Sequence, residues 1–278
     1  MHYTLEGTTK RYAGNKGFTF DDFNLSADDT YQFGCEFEFY IKTSKYDYGE
    51  TIDKITEEVY SLTGADILVD TTNLPTAYDK NHCIQIKPDV SLKDNGIEIS
   101  VPITTEDGIV HYIQTITSII QKYGYTNQET GFHIHISTID NNGVNFNFYK
   151  FMLLCHTAEL LSSWKQRPGY SQNVMDVLSS NTKQQARVIK TKKGTIWNLE
   201  KVEPNHVEIK SIGGEDYHKN IHKIIEEFLQ YTQLFIQTLH DDTEGDREIY
   251  RAHKEQLDTL SRETEETFAT ALSEAGIV

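Results

Sequence analysis

The chain predicts an α+β fold: a mixed or antiparallel sheet with one acidic and histidine-bearing face, and helices packed on the other. Three observations carry that expectation. Four short segments far apart alternate charged or imidazole groups with apolar ones, as strands do when successive side chains point to opposite faces. Between them lie longer stretches with apolar residues at helical spacing. Glycine, proline and asparagine punctuate the joins, and no internal repeat or low-complexity linker interrupts the pattern.

In chain order, residues 1–30 are polar, with Gly14, Gly17 and two Asp-Asp pairs, and read as an irregular N-terminal leader. A strand follows over about 32–42, where Phe33, Cys35, Phe37, Phe39 and Ile41 share one face and Glu36 and Glu38 the other. Ile52, Ile55, Val59 and Leu62 make one face of a helix over 50–62. Strands are expected near 66–70 and 82–87, then a turn at Pro88-Asp89. Asp94-Asn95-Gly96 is a hairpin signal before the alternating run Ile97-Glu98-Ile99-Ser100. Ile109, Ile113, Ile116 and Ile120 stripe a helix over 105–123, with Thr105 as N-cap and Gly124 at its end. In 131–139, Phe132, Ile134 and Ile136 oppose His133 and His135. Helices are expected at about 146–164 and 172–187, strands near 195–199 and 205–212 with His206 and Glu208 on one face, and a helix at 218–240. From 241 to 278 an acidic C-terminal helix carries only a thin apolar stripe. The main domain is accordingly bounded at 31–240.

Composition narrows the function. The 278 residues carry a formal net charge of −16, which argues against a general nucleic-acid or membrane-surface binder, because phosphate backbones demand basic patches. No apolar run approaches the ~20 residues of a membrane span, and the first residues lack the basic and apolar regions of a signal peptide. Cys35, Cys83 and Cys155 are widely spaced in apolar contexts, so they read as small core residues in a reducing compartment. A cytoplasmic location is the default expectation. There is no Gly-x-x-x-x-Gly-Lys-Ser/Thr phosphate loop.

If the four strands are neighbours, Glu36, Glu38, Asp89, Glu98 and Glu208 converge with His133 and His135 on one surface. Two like charges about 4 Å apart repel by roughly 1 kcal/mol in water and roughly 4 kcal/mol at an effective dielectric of 20. Such a face therefore requires bound metal, a cationic substrate or raised carboxyl pKa values, and metal is the most economical of these.

The order of the motifs, Gly34-Cys35-Glu36-Phe37-Glu38, then Asp89 with Gly96-Ile97-Glu98-Ile99, then Gly131-Phe132-His133-Ile134-His135-Ile136-Ser137, then Val207-Glu208-Ile209-Lys210, resembles the glutamine synthetase / glutamate–cysteine ligase superfamily. The compact length looks most like its amidoligase branch, and the matching segments run from about 33 to 217. The resemblance implies a glutamine-synthetase-like catalytic domain whose concave face holds divalent ions between ATP phosphates and a carboxylate substrate. Carried over by residue, it implies one metal on Glu38, Asp89 and Glu98, and a second on Glu36, His133 and Glu208. His135 falls near nucleotide or substrate. Lys210 stands where the family usually has an arginine facing the transferred phosphoryl group; it keeps the charge and loses the planar fork. Arg167, in Arg167-Pro168-Gly169-Tyr170, is a candidate phosphate contact.

The activity so implied is ATP-dependent amide formation between a carboxylate and an amine through an acyl phosphate, with Mg²⁺, or Mn²⁺ in its place. The carboxylate and the amine could belong to an amino acid, a peptide or a protein side chain. Two alternatives are a metal-dependent hydrolase that needs no ATP and a catalytically inactive nucleotide-binding protein of the same fold. Among the remaining residues, His218 and His222 read as helix-surface groups, and Lys190, Lys192 and Lys193 as a solvated loop or a lid over phosphates. Gly213 and Gly214 mark a turn or a close approach to ligand.

Overall fold

The computed structural model describes residues 10–12, 30–43, 47–69, 83–93, 95–139, 146–165, 167, 170–173, 195–198, 205–240 and 242–254. Its contacts divide into two compact units. The first comprises Met1–Ile134 and Ile212–Ile225, and the second His135–Ser211 and Glu226–Val278. The class is α+β with a mixed sheet, and five α-helices occur among the described residues.

The first unit is built on β1 (Lys10–Tyr12), β2 (Tyr31–Ile41), β3 (Ile67–Val69), β4 (Ile84–Pro88), β5 (Gly96–Ser100), β6 (Gly124–Tyr125) and the opening residues of β7 (Phe132–Thr138). The strand order is β1-β3-β4-β5-β2, with β6 also pairing β2. All of these pairs are antiparallel except β3–β4. β1 is a finding against expectation, since it lies in the stretch read as irregular and pairs Arg11 with Leu68.

Two helices, α1 (Tyr48–Thr63) and α2 (Glu106–Tyr123), pack on each other, and α2 lies on β2. The reason is the alternation read in the sequence. Cys35, Phe37, Phe39 and Ile41 are buried, as are Ile109, Ile113, Ile116 and Ile120 of α2. Thr105 caps α2 as expected, its hydroxyl accepting from the Gly108 amide. The expected β-hairpin before Ile97-Glu98-Ile99 forms, since β4 and β5 pair antiparallel, but its connection is longer than a two-residue Asn-Gly turn, with Asp89 N–H donating to the Gly96 carbonyl and Gly96 N–H to that of Lys93.

The second unit holds the rest of β7, then β8 (His206–Ile209), which pair, as in the bond from Thr138 N–H to the Asn205 carbonyl. It also holds α3 (Phe148–Thr157) and α5 (Glu244–Ala252), and α4 (Ile221–Thr238) runs from the first unit into it. An aromatic core of Phe146, Phe148, Phe151, Trp197, Tyr231 and Phe235 fills its interior.

Two helix expectations need correction. The stretch 146–164 is not one helix, because Glu159 takes a left-handed backbone (φ 60°) and a 3-10 turn follows at Leu160–Ser162. The helix expected from 218 begins at Ile221, because Asp216 is likewise left-handed and Tyr217–Lys219 forms a 3-10 turn. His218 is thus not on a helix surface; it is buried, with Nδ1 2.9 Å from the Thr126 hydroxyl, while His222 is exposed. Cys35, Cys83 and Cys155 are buried free thiols, as expected. Among the described residues no helix is long and apolar enough to cross a membrane. The basic run at 190–193 and most of the helix expected at 172–187 lie outside the described residues.

Candidate functional site

The polar face of the first unit follows from strand register. Glu36 stands directly opposite Ser100 and Glu38 opposite Glu98 in the β2–β5 ladder. In the β4–β5 ladder Gln85 stands opposite Ser100 and Lys87 opposite Glu98. Residues directly opposite project to the same side, so two rows result, Gln85/Ser100/Glu36 and Lys87/Glu98/Glu38. Asp89 lies one residue past the end of β4, where its Oδ1 accepts from the Ser91 amide at 2.7 Å and its charge acts on Lys87.

His133 completes the face from β7. Its Nδ1 lies 3.0 Å from Glu36 Oε2 and its Nε2 3.4 Å from Glu38 Oε1. The ring thus stands between the two carboxylates, with one nitrogen toward each. Burial makes the arrangement matter: the Glu38 side chain is 8% exposed and that of His133 12%. The backbone of Glu38 is pinned on both sides. Its N–H donates to the Gly131 carbonyl at 2.9 Å, and its carbonyl accepts from the Tyr217 hydroxyl at 2.9 Å. On the opposite side of the same strands, Phe37 packs on Phe132 with ring centroids 4.7 Å apart.

Glu38 and Glu98 are like charges directly across a ladder, an arrangement that is ordinarily destabilising. Glu38 has the His133 imidazole beside it, and Glu98 the Lys87 ammonium. Lys87 Nζ lies 2.8 Å from Glu98 Oε1, which the Ser100 hydroxyl also contacts. Burial and the Glu36 charge still hold the Glu98 carboxyl above the usual carboxylate range, with Lys87 and Ser100 acting in the other direction. Burial works against the Lys87 ammonium, but Glu98, Glu36 and Asp89 outweigh it and raise its pKa.

In the second unit, Glu208 is buried and its Oε2 accepts from Asn198 Nδ2 at 2.9 Å. His135, the next residue of the histidine face, stacks on His206, with ring centroids 5.4 Å apart and His135 Nδ1 3.4 Å from His206 Nε2. Arg167 is buried; its Nη2 donates to the Lys210 carbonyl at 3.1 Å and its Nε to the Ser171 hydroxyl at 3.3 Å. Lys210 is buried as well, its N–H donating to the Ile196 carbonyl.

The first unit thus brings together Glu36, Glu38, Glu98, Asp89 and His133, and the second holds His135, Arg167, Glu208 and Lys210. Sequence reasoning misses Lys87, Asn198 and Tyr217. The alternation Gln85-Lys87 on one strand face carries a signal for Lys87, whereas nothing local marks Asn198 or Tyr217.

No protein-family model matches the chain, and no curated protein matches it either. Among solved structures, one described as apo GmaS without ligand aligns over 92% of this chain and 69% of its own length, at 9% identity and a TM-score of 0.33. A likeness of that degree does not bear on function.

Proposed function

We propose that the chain is an ATP-dependent carboxylate–amine ligase that forms an amide bond through an acyl phosphate. The observation that carries the reading is His133 set between Glu36 and Glu38 on a face that also bears Glu98. Carboxylate oxygens with one imidazole nitrogen suit Mg²⁺ or Mn²⁺, and here the His133 ring lies between Glu36 and Glu38 with one nitrogen toward each, so sharing an ion would need the ring to move out from between them. Glu36, Glu38 and His133 would hold it. A divalent ion there would offset the charge of the β- and γ-phosphates and polarise the transferred phosphoryl group.

The reaction needs that neutralisation because a carboxylate resists attack by an amine. Its oxygen first attacks the γ-phosphorus of ATP and displaces ADP. The amine then attacks the acyl carbon, loses a proton and expels phosphate. In the second unit Glu208, held by Asn198, is proposed as a further metal ligand and Lys210 as the cation toward the phosphoryl group. Arg167, on the Lys210 carbonyl, fixes that backbone. His135 beside His206 is proposed to accept the amine proton.

The test is phosphate release from Mg²⁺-ATP across a panel of amino acids, peptides and amines. Glu36→Gln and Glu208→Gln are each expected to lower turnover by more than about a hundredfold while the protein stays folded. Full activity in both variants would exclude the reading. Amide cleavage without ATP would point to a hydrolase. A second reading, a nucleotide-binding protein without turnover, is favoured by Lys210 in place of an arginine; it predicts ATP binding with no phosphate release.

A further inference from the structure

The second unit sets two imidazoles and a buried carboxylate close together. His206 and Glu208 alternate along β8 and so share a face, which His135 meets from β7. His135 Nδ1 stands 3.4 Å from His206 Nε2, and the two rings are inclined by only 20°. Two nitrogens bound to one tetrahedral ion at the ~2.0–2.1 Å of a Zn–N bond stand about 3.3–3.4 Å apart. The spacing is therefore already that of a shared ion. A turn of each ring by about 35° aims both lone pairs at that ion without parting the nitrogens. A His135 ring nitrogen is also within 4.8 Å of a Glu208 carboxylate oxygen. Glu208 is 2% exposed, and Asn198 Nδ2 donates to its Oε2 at 2.9 Å, the kind of outer hydrogen bond that orients a ligating carboxylate. Two imidazole nitrogens with one carboxylate oxygen are a donor set for Zn²⁺ and its neighbours, whereas Mg²⁺ takes oxygen almost alone. Three protein donors leave the fourth tetrahedral position open.

We propose that His135, His206 and Glu208 form a site for an imidazole-preferring divalent ion, Zn²⁺ foremost, and that filling it inhibits the protein. The binding stands on the geometry alone. The inhibition rests on the ligase reading: the ion takes up His135, to which that reading assigns the amine proton, and withdraws Glu208 from Mg²⁺.

Zn²⁺ is titrated into the metal-free full-length protein against a chromophoric chelator. Co²⁺ is used in a second titration, because its visible absorption reports four-coordinate binding. The wild type is expected to bind one tight Zn²⁺ that about a thousandfold excess of Mg²⁺ does not displace. His206→Gln, at a half-buried position, and Glu208→Gln are each expected to lower the affinity at least about tenfold and to lose the four-coordinate Co²⁺ absorption. His222→Gln, at an exposed histidine, is expected to change neither. The site is overturned if the wild type binds no Zn²⁺, if Mg²⁺ displaces it, or if folded His206→Gln and Glu208→Gln bind it as the wild type does. Zn²⁺ binding of the expected kind with no phosphate release from Mg²⁺-ATP overturns the ligase reading and leaves the site standing. Phosphate release that persists with the site filled overturns the inhibition alone.

Discussion

Gly124 sets the spacing between α2 and the strand that carries the two glutamates. A Cβ built there would lie 2.5 Å from Phe39 Cδ2 and 2.8 Å from the Tyr40 carbonyl oxygen. The second neighbour is backbone of β2, paired to Gly124 through Ile41, and cannot swing aside. Gly124→Ala is therefore expected to cost about 1–3 kcal/mol, the usual range for overpacking, read as a lower urea midpoint with unchanged slope. An unchanged midpoint would mean that β6 can move off β2 freely. The sequence marks Gly124 as a helix stop, and the helix does end there. Its backbone, however, is extended (φ −135°), so the requirement is close approach rather than a left-handed cap. Glu36, Glu38, His133 and Glu98 are legible because alternation against Phe and Ile is local. The partners that decide their electrostatics are not, since a lysine on the polar side of a strand reads by itself as an ordinary solvent-facing residue.

At the scale of elements, α3 and α5 are joined by a buried ion pair. Lys150 Nζ lies 3.0 Å from Asp246 Oδ2 and 3.2 Å from Asp242 Oδ1, and it donates to the His240 carbonyl. The Lys150 and Asp246 side chains are each 2% exposed. Asp246 also closes the capping box of α5, accepting from the Thr243 amide while its own amide donates to the Thr243 hydroxyl. Burial opposes its ionisation, yet Thr243 and Lys150 hold its pKa below the ordinary aspartate value. A lowered carboxyl pKa stabilises the fold above the unfolded-state value, and that contribution is lost as pH falls through the folded-state one. Lys150→Met strands the carboxylate and is expected to cost about 3–5 kcal/mol near neutral pH. The deficit should shrink below about pH 4, where a protonated Asp246 needs no cation. Denaturant midpoints of both proteins across that range check this, and a pH-independent deficit would assign the loss to packing. Helical spacing reveals α3 and α5 separately. The pairing joins residues 150 and 246, a separation over which no periodicity carries information, and the early end of α3 depends on the left-handed Glu159.

At the scale of the whole molecule, a formal charge of −16 means that any added cation relieves some self-repulsion, so stabilisation by Mg²⁺ alone would say little. The discriminating comparison is Mg²⁺ with ATP against sodium chloride of matched ionic strength, in wild type and in Glu36→Gln. Screening acts on both proteins alike, because exposed charges more than about 10 Å apart are already decoupled at ~0.1 M salt. A ligand held at about 100 times its dissociation constant adds roughly 2.7 kcal/mol to the native state. For a chain of this size that corresponds to a rise in melting temperature on the order of 5 to 10 °C. The expected result is such a rise with Mg²⁺ and ATP, abolished by EDTA and by Glu36→Gln, with only a small common shift from sodium chloride. Equal shifts from Mg²⁺-ATP and sodium chloride would reduce the acidic face to a generic charge effect. The α+β class and the sidedness of the sheet are legible because both follow from hydrophobic period, a property each segment displays by itself. The number of compact units and the left-handed turn residues are not, because they are set by which segments meet. The polar face is where those two kinds of information separate: its acids are written into the strands one at a time, whereas the electrostatics of that face depend on His133 and Lys87 arriving from other strands.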